Sequence, residues 1–116
     1  MKRVVKVLKV ISDRNRLRIL KLLERKRLCV CELSAIIGIT QPSVSRHLKK
    51  LKAAGLISDE QKGFWTDYFL SLPDDRYVRT LLGCIRSWLN DDPVVRKDRI
   101  KAGQVNRAML CCRKGI

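Results

Sequence analysis

Aromatic residues are scarce in this 116-residue chain, which has two Trp, two Tyr and two Phe. So short a chain has little room for both a core and a deep cleft, which argues against a self-contained enzyme. Histidine occurs once, as His47. A zinc site of several imidazoles is therefore excluded within one chain, and a Ser-His-Asp triad has no sensible place for its base. A thiol reductase is poorly supported, because C-x-x-C and a βαβ context are both missing. No apolar run approaches the ~20 residues of a bilayer crossing, so no membrane-spanning role is expected. The opening Met1-Lys2-Arg3-Val4-Val5-Lys6 carries charge where a signal peptide needs an unbroken apolar stretch, and the expected location is the cytoplasm. In that reducing compartment the five cysteines favour metal binding or redox chemistry over structural bridges.

Acidic residues are the other shortage: 11 Asp and Glu face 26 Lys and Arg, for a net charge of +15. The imbalance is concentrated in residues 1–57, which hold fifteen Lys and Arg against Asp13, Glu24 and Glu32. A basic half of this kind gathers polyanions, either nucleic acid or an anionic membrane surface.

What is present reads as one domain over residues 1–92, in the order helix, helix, helix, helix, hairpin, helix, and a basic, cysteine-containing tail over 93–116. The fold class is mainly α with a small β-hairpin. Val4, Leu8 and Ile11, with Val7 beside them, recur at helical spacing. Ser12-Asp13 offers capping oxygens to a second helix through about Arg25, whose Leu17, Ile19, Leu20, Leu22 and Leu23 form a broad apolar face. A short third helix runs from about Cys31 to Ile37 and ends at Gly38. Thr40 or Gln41 caps a fourth, with Pro42 in its first turn and Val44, Leu48 and Leu51 as its inner stripe. Its polar and basic residues, Ser43, Arg46, His47, Lys49 and Lys50, face outward or flank that stripe. Two helices joined by a tight turn, the second amphipathic and basic, match a helix-turn-helix whose second helix enters the DNA major groove.

Leu56-Ile57-Ser58 then reads as a strand, Asp59 to Gly63 as a turn and Phe64 to Leu72 as a return strand, which makes the hairpin the wing of a winged helix. From Asp74 the pattern is helical again, with Tyr77, Leu81, Cys84 and Trp88 on one stripe and Val78, Leu82, Ile85 and Leu89 on the next. So wide a face either folds back on its own core or pairs with a second copy. Its extent favours a homodimer through the first and last helices, with Val4, Leu8, Ile11, Tyr77, Leu81, Ile85 and Trp88 at the interface. Beyond Pro93 the sequence is charged and weakly periodic, and the tail is expected to be loose until something holds it.

Cys29-Val30-Cys31 opens the third helix and follows Arg25-Lys26-Arg27. Helix N-terminal amides and neighbouring cations favour the thiolate, the form that binds soft ions. Residues i and i+2 share a side only where the chain is extended, so chelation by both sulfurs constrains or unwinds the first turn. The plainer alternative is two small buried apolar residues. Cys111-Cys112, beside Arg113 and Lys114, lies where apolar burial is not expected, and adjacent thiols there are positioned to supply a further sulfur. Cys84 falls in an apolar stripe and is expected only to pack.

Four segments together resemble one family: Ser12-Asp13 with Arg16-Leu17-Arg18-Ile19-Leu20, then Leu28-Cys29-Val30-Cys31-Glu32-Leu33, then Gln41-Pro42-Ser43-Val44-Ser45-Arg46-His47-Leu48, then Ala54-Gly55-Leu56-Ile57. They are similar to the ArsR/SmtB metal-sensing repressors, in their arsenic-responsive branch. The resemblance implies a dimeric winged helix that blocks transcription until a thiophilic ion binds, with As(III) or Sb(III) held by three thiolates and no organic cofactor. Complete local sites in that branch look like C-x-C-x-x-C, whereas the third position here is Ser34, a much poorer soft-metal ligand. No cysteine precedes Cys29, so the resemblance leaves Cys111 or Cys112, of the same or the partner chain, to complete the set. The family's other zinc site, on the last helix, looks absent for want of histidine. On DNA, two recognition helices are expected in successive major grooves ~34 Å apart on an inverted repeat. Gln41, Ser43, Ser45 and Arg46 are the candidates for base or phosphate contact, His47 for either contact or mere solvation, and Lys49, Lys50 and Lys62 for the backbone. Cadmium, lead or thiol oxidation is the alternative input.

Overall fold

The computed structural model describes residues 1–72, 74–106, 108 and 110. Its elements are α1 (Lys2–Ile11), α2 (Arg14–Leu23), α3 (Val30–Ile37), α4 (Gln41–Ala53), β1 (Ile57–Lys62), β2 (Trp65–Leu70), α5 (Arg76–Ser87) and α6 (Pro93–Ala102). Local chemistry sets most boundaries. The Asp13 carboxylate accepts from the Arg16 amide at 3.0 Å, Asp75 accepts from Tyr77 and Val78, and Asp92 accepts from Val94 and Val95, so three helices begin on an aspartate. Gly38 ends α3 at φ 83°, open to the left-handed conformation that a Cβ disfavours.

α2 is the centre of the core. Ile19, Leu20, Leu22 and Leu23 are all buried, against Leu33 and Ile36 of α3 and Val44, Leu48 and Leu51 of α4. At about 1.5–3 kcal/mol for each fully buried aliphatic side chain, this cluster outweighs any single polar contact in the domain. β1 and β2 form an antiparallel pair in the register Ile57↔Leu70 to Lys62↔Trp65. The turn is therefore the two residues Gly63 and Phe64, shorter than the five-residue turn expected from sequence, because both arms keep pairing to the tip. Gly63 supplies the positive φ, 61°, that such a turn needs. Leu28, just before α3, adds a bridge to the wing: its amide donates to the Tyr68 carbonyl (3.3 Å) and Tyr68 donates back (2.9 Å).

Three expectations change at the C-terminal side. Residues 93–102, expected to be loose, are a helix packed on α2 and α3. The hold is ionic: both guanidinium nitrogens of Arg18 that face Asp98 donate to its buried carboxylate at 2.8 Å. Lys21 is 0% exposed and donates to Glu24 (2.9 Å), the Ile85 carbonyl (2.8 Å) and Asn90 (3.0 Å), while Arg99 reaches the same Glu24 and Asn90. Second, α5 stops at Ser87, which puts Trp88 and Leu89 beyond the helix; Leu89 sits at φ 65°, a strained conformation for leucine. Third, Ile85 is 1% exposed within the protomer's own core and is not part of an exposed interface stripe.

Candidate DNA interface and thiol site

α4 begins where Thr40 caps it. The Thr40 hydroxyl oxygen accepts from the Ser43 amide (3.3 Å) and donates to the Ser43 hydroxyl (2.9 Å). Arg46 Nη2 in turn donates to that Ser43 hydroxyl at 3.0 Å, which orders the first turn as a polar cluster. With Val44, Leu48 and Leu51 turned inward, Ser45, Arg46, Lys49 and Lys50 are exposed and Gln41 and Ser43 half-buried. Ser43 and Arg46 are thus paired with each other before any ligand arrives.

His47 does not stand among the outward residues. Its Nδ1 lies 3.3 Å from Arg16 Nη1, against the start of α2 and near Asp13. Burial lowers its pKa; Asp13 opposes that shift, and Arg16, Lys50 and Arg46 add to it. Burial works against the Asp13 carboxylate, but the Arg16 amide and the Arg16 and His47 charges leave its pKa lowered. His47 therefore couples α4 to α2 through Arg16.

The wing is braced on both sides. Lys52 in the last turn of α4 pairs with Asp59 at 3.0 Å, and Arg27 pairs with Glu60 at 2.7 Å while lying 4.0 Å over the Phe69 ring. Neither pair, nor the Leu28 bridge, was expected from sequence; opposite charges far apart in the chain give no periodic signal. Lys62 is exposed on the last rung before the turn, 3.5 Å from Glu60.

Cys29 is the N-cap of α3, with extended backbone (φ −97°, ψ 172°), and is 3% exposed; Cys31, in the first turn, is half-buried. The Glu32 carboxylate accepts from the Cys29 amide at 3.0 Å, one half of a capping box. Ser34 does not turn toward the thiols: its hydroxyl donates to the Ile39 carbonyl and closes the α3–α4 turn. Two thiols two positions apart suit a soft, thiophilic ion by their chemistry. Among the described residues no group of three His, Cys, Asp or Glu could hold a metal, and Cys111 and Cys112 lie outside the described residues. Cys84 is half-buried on α5.

Val4 and Leu8 of α1 with Tyr77 and Leu81 of α5 line a mainly apolar groove of about 360 Å³. Leu8, Tyr77 and Trp88 are exposed, and Val4 and Ile11 are half-buried.

A capped basic helix behind a tight turn, followed by a braced two-stranded wing, defines a winged helix-turn-helix regulator of transcription. Residues 13–59 match the family described as bacterial regulatory protein, arsR family. The arsenic resistance transcriptional regulator ArsR1 of Pseudomonas putida is 36% identical over 91 residues, covering 74% of this chain and 71% of that protein. ArsR2 of the same organism is 33% identical over 111 residues, covering 91% and 95%. A cadmium resistance transcriptional regulatory protein, CadC of Listeria innocua, is 36% identical over 63 residues, 53% of each chain. Among solved structures, the homodimeric winged helix-turn-helix DNA-binding domain of Mb0332 from Mycobacterium bovis superposes with a TM-score of 0.63 at 25% identity, covering 73% of this chain and 76% of that one. The chain belongs to the arsR family; it is a DNA-binding regulator and not an enzyme. Among the described residues, no helix is long and apolar enough to cross a membrane.

Proposed function

We propose that the chain is a homodimeric repressor, bound to an inverted repeat in double-stranded DNA, that leaves its operator when As(III) or Sb(III) is held by the thiolates of Cys29 and Cys31. Cys111 or Cys112 supplies the third. One observation carries the reading: Cys29 is at once the cap of α3 and the neighbour of Leu28, the residue that ties α3 to the wing. Drawing the side chains of residues 29 and 31 to one side of the backbone opposes the extended-to-helical step between them. Glu32 then loses the Cys29 amide, at about 1 kcal/mol for a lost cap. The two Leu28–Tyr68 hydrogen bonds add about 0.5–1.5 kcal/mol each when they go. Together these approach the few kcal/mol of difference between states that empties an operator, which the cap alone does not.

Support for the third donor comes from α6. Lys26, three residues before Cys29, donates to the Ala102 carbonyl at 3.1 Å, so α6 ends beside the thiol segment. Nine positions separate Ala102 from Cys111, an upper reach of ~30 Å, so a donor from the same chain is within range. Support for the homodimer is the groove between α1 and α5 and the homodimeric relative of known structure.

The test is a titration of reduced protein with arsenite, following sulfur-to-arsenic ultraviolet absorption and operator release together. Both signals are expected in the parent chain and lost in Cys29→Ser and in Cys31→Ser. Retention of arsenite-driven release in the double serine variant overturns the reading. A second reading, favoured by the cadmium resistance relative and by Ser34 in the third position, keeps the repressor and exchanges the input for cadmium or lead. Release by cadmium with arsenite inert selects it; release by peroxide alone selects thiol oxidation.

A further inference from the structure

The tip of the wing carries an aromatic ring that the core does not bury. Phe64 is 83% exposed, in a chain whose other phenylalanine, Phe69, is covered by Arg27. An aromatic ring left in water at the end of a hairpin adds nothing to the buried core. The hairpin nevertheless holds the ring in place. Gly63 turns the chain at φ 61°, the Gln61 amide group donates to the Gly63 carbonyl (2.9 Å), and Thr66 donates to Gln61 across the strands (2.6 Å). Trp65 meets the Phe64 ring edge to face at 6.4 Å and 88°.

The charges around the tip decide what such a ring can meet. Asp59 and Glu60 would repel a phosphate backbone, but both are paired, with Lys52 and Arg27, further down the arms. Glu60 is shared between Arg27 and Lys62, so the end keeps one net positive charge on the exposed Lys62 beside the apolar ring of Phe64. That pairing suits the DNA minor groove, where basic residues meet the phosphates and apolar side chains wedge against sugars or between base steps. A second copy of the chain or a lipid surface offers no comparable match to a single ring on a narrow ribbon.

We infer that Phe64 is a minor-groove wedge: it enters beside the half-site read by α4, opens a base step and bends the operator, while Lys62 holds the adjoining phosphate. The inference rests on DNA binding through α4, but not on the thiol switch. Because bending costs energy that depends on the sequence bent, Phe64 would select flexible pyrimidine–purine steps at a position that α4 never touches.

The experiment uses the full chain and a duplex that the chain itself selects from randomised DNA, with binding measured at several salt concentrations and the bend followed by energy transfer between the duplex ends. Phe64→Ala is expected to weaken binding about 10-fold, within the range for removing a base-stacked aromatic, with unchanged salt dependence and a smaller bend. Lys62→Ala is expected to lower the salt slope by ~1 and leave the bend. Phe64→Lys keeps the fold, adds a cation and still loses the bend. Parental affinity and bend in Phe64→Ala or in Phe64→Lys overturn the wedge alone. Failure of the parent chain to select any duplex overturns DNA binding itself, and the wedge with it.

Discussion

α5 and α6 both follow the wing, yet they are held by opposite chemistry. α6 has few apolar anchors and is fixed by charge, Arg18 to Asp98 and Arg99 to Glu24, around a lysine that has no exposure to solvent. α5 buries Val78 and Ile85 and leaves Tyr77 partly exposed under Arg76, lining a groove with the exposed Leu8 of α1. Buried ion pairs are costly to break and fix geometry, so α6 completes the protomer. A bare apolar stripe is a surface still to be covered, so α5 and α1 point outward to a partner.

The largest effect expected is on the α6 side. Lys21→Ala leaves a cavity and takes a donor from Glu24 and from the buried Ile85 carbonyl, and should cost about 3–5 kcal/mol, lowering the calorimetric melting temperature by roughly 10 °C or more. Lys21→Met should cost clearly less, because it fills the volume that alanine leaves empty, while Glu24 retains Arg99 in both. Equal losses in the two variants would mean that the missing charge and hydrogen bonds, and not the missing volume, set the cost.

On the α5 side the pattern should reverse. Leu8→Glu and Tyr77→Glu are expected to leave the melting temperature nearly unchanged at high protein concentration only if the dimer adds little to folding. Sedimentation should show a monomer, and operator affinity should drop by about 100-fold as half-sites are engaged singly, about 2.7 kcal/mol. A dimer that survives both charges would remove α1 and α5 from the interface.

A smaller change probes the thiol site. Ser34→Cys restores the C-x-C-x-x-C spacing but gives up the hydrogen bond to Ile39, so a stability loss of about 1 kcal/mol is expected by denaturant titration. Arsenite binding should then no longer depend on Cys111 and Cys112. Continued dependence on them would show that a cysteine at 34 still points into the α3–α4 turn.

The smallest effect is from pH. The His47 pKa is lowered in the fold, chiefly by burial, so the unfolded chain binds the proton more readily and stability falls as pH drops through the ordinary histidine range near 6.5. Asp13 titrates below its ordinary 3.8 and takes no part in that window. A small fall in melting temperature between pH 7.5 and 5.5, flattened in His47→Gln, is the expected result.

These contrasts also explain what the sequence made legible. Apolar periodicity located α2, α3 and α4, and the capping residues Asp13 and Thr40 marked where helices start, because those signals are local. α6 escaped notice because its hold is long-range charge: Asp98 gains meaning only when Arg18 is seen beside it, eighty positions earlier. A helical stripe does not say which of two adjoining apolar faces meets the core, so the sequence alone does not reveal that Ile85 is buried. His47 sat among basic neighbours, and only the approach of Arg16 shows that it turns toward α2. The cysteine pair was legible as a soft-ion site, but its link to the wing was not, since Leu28 pairs with a residue forty positions away.

The central claim is that thiol capture at residues 29 and 31 loosens the joint between α3 and the wing. Hydrogen exchange at the Leu28, Tyr68 and Leu33 amides, followed with and without arsenite on the DNA-free dimer, addresses it most directly. The account predicts faster exchange at all three when arsenite is bound, with the α2 core unchanged. Unaltered protection at Leu28 and Tyr68 under arsenite concentrations that free the operator would contradict it.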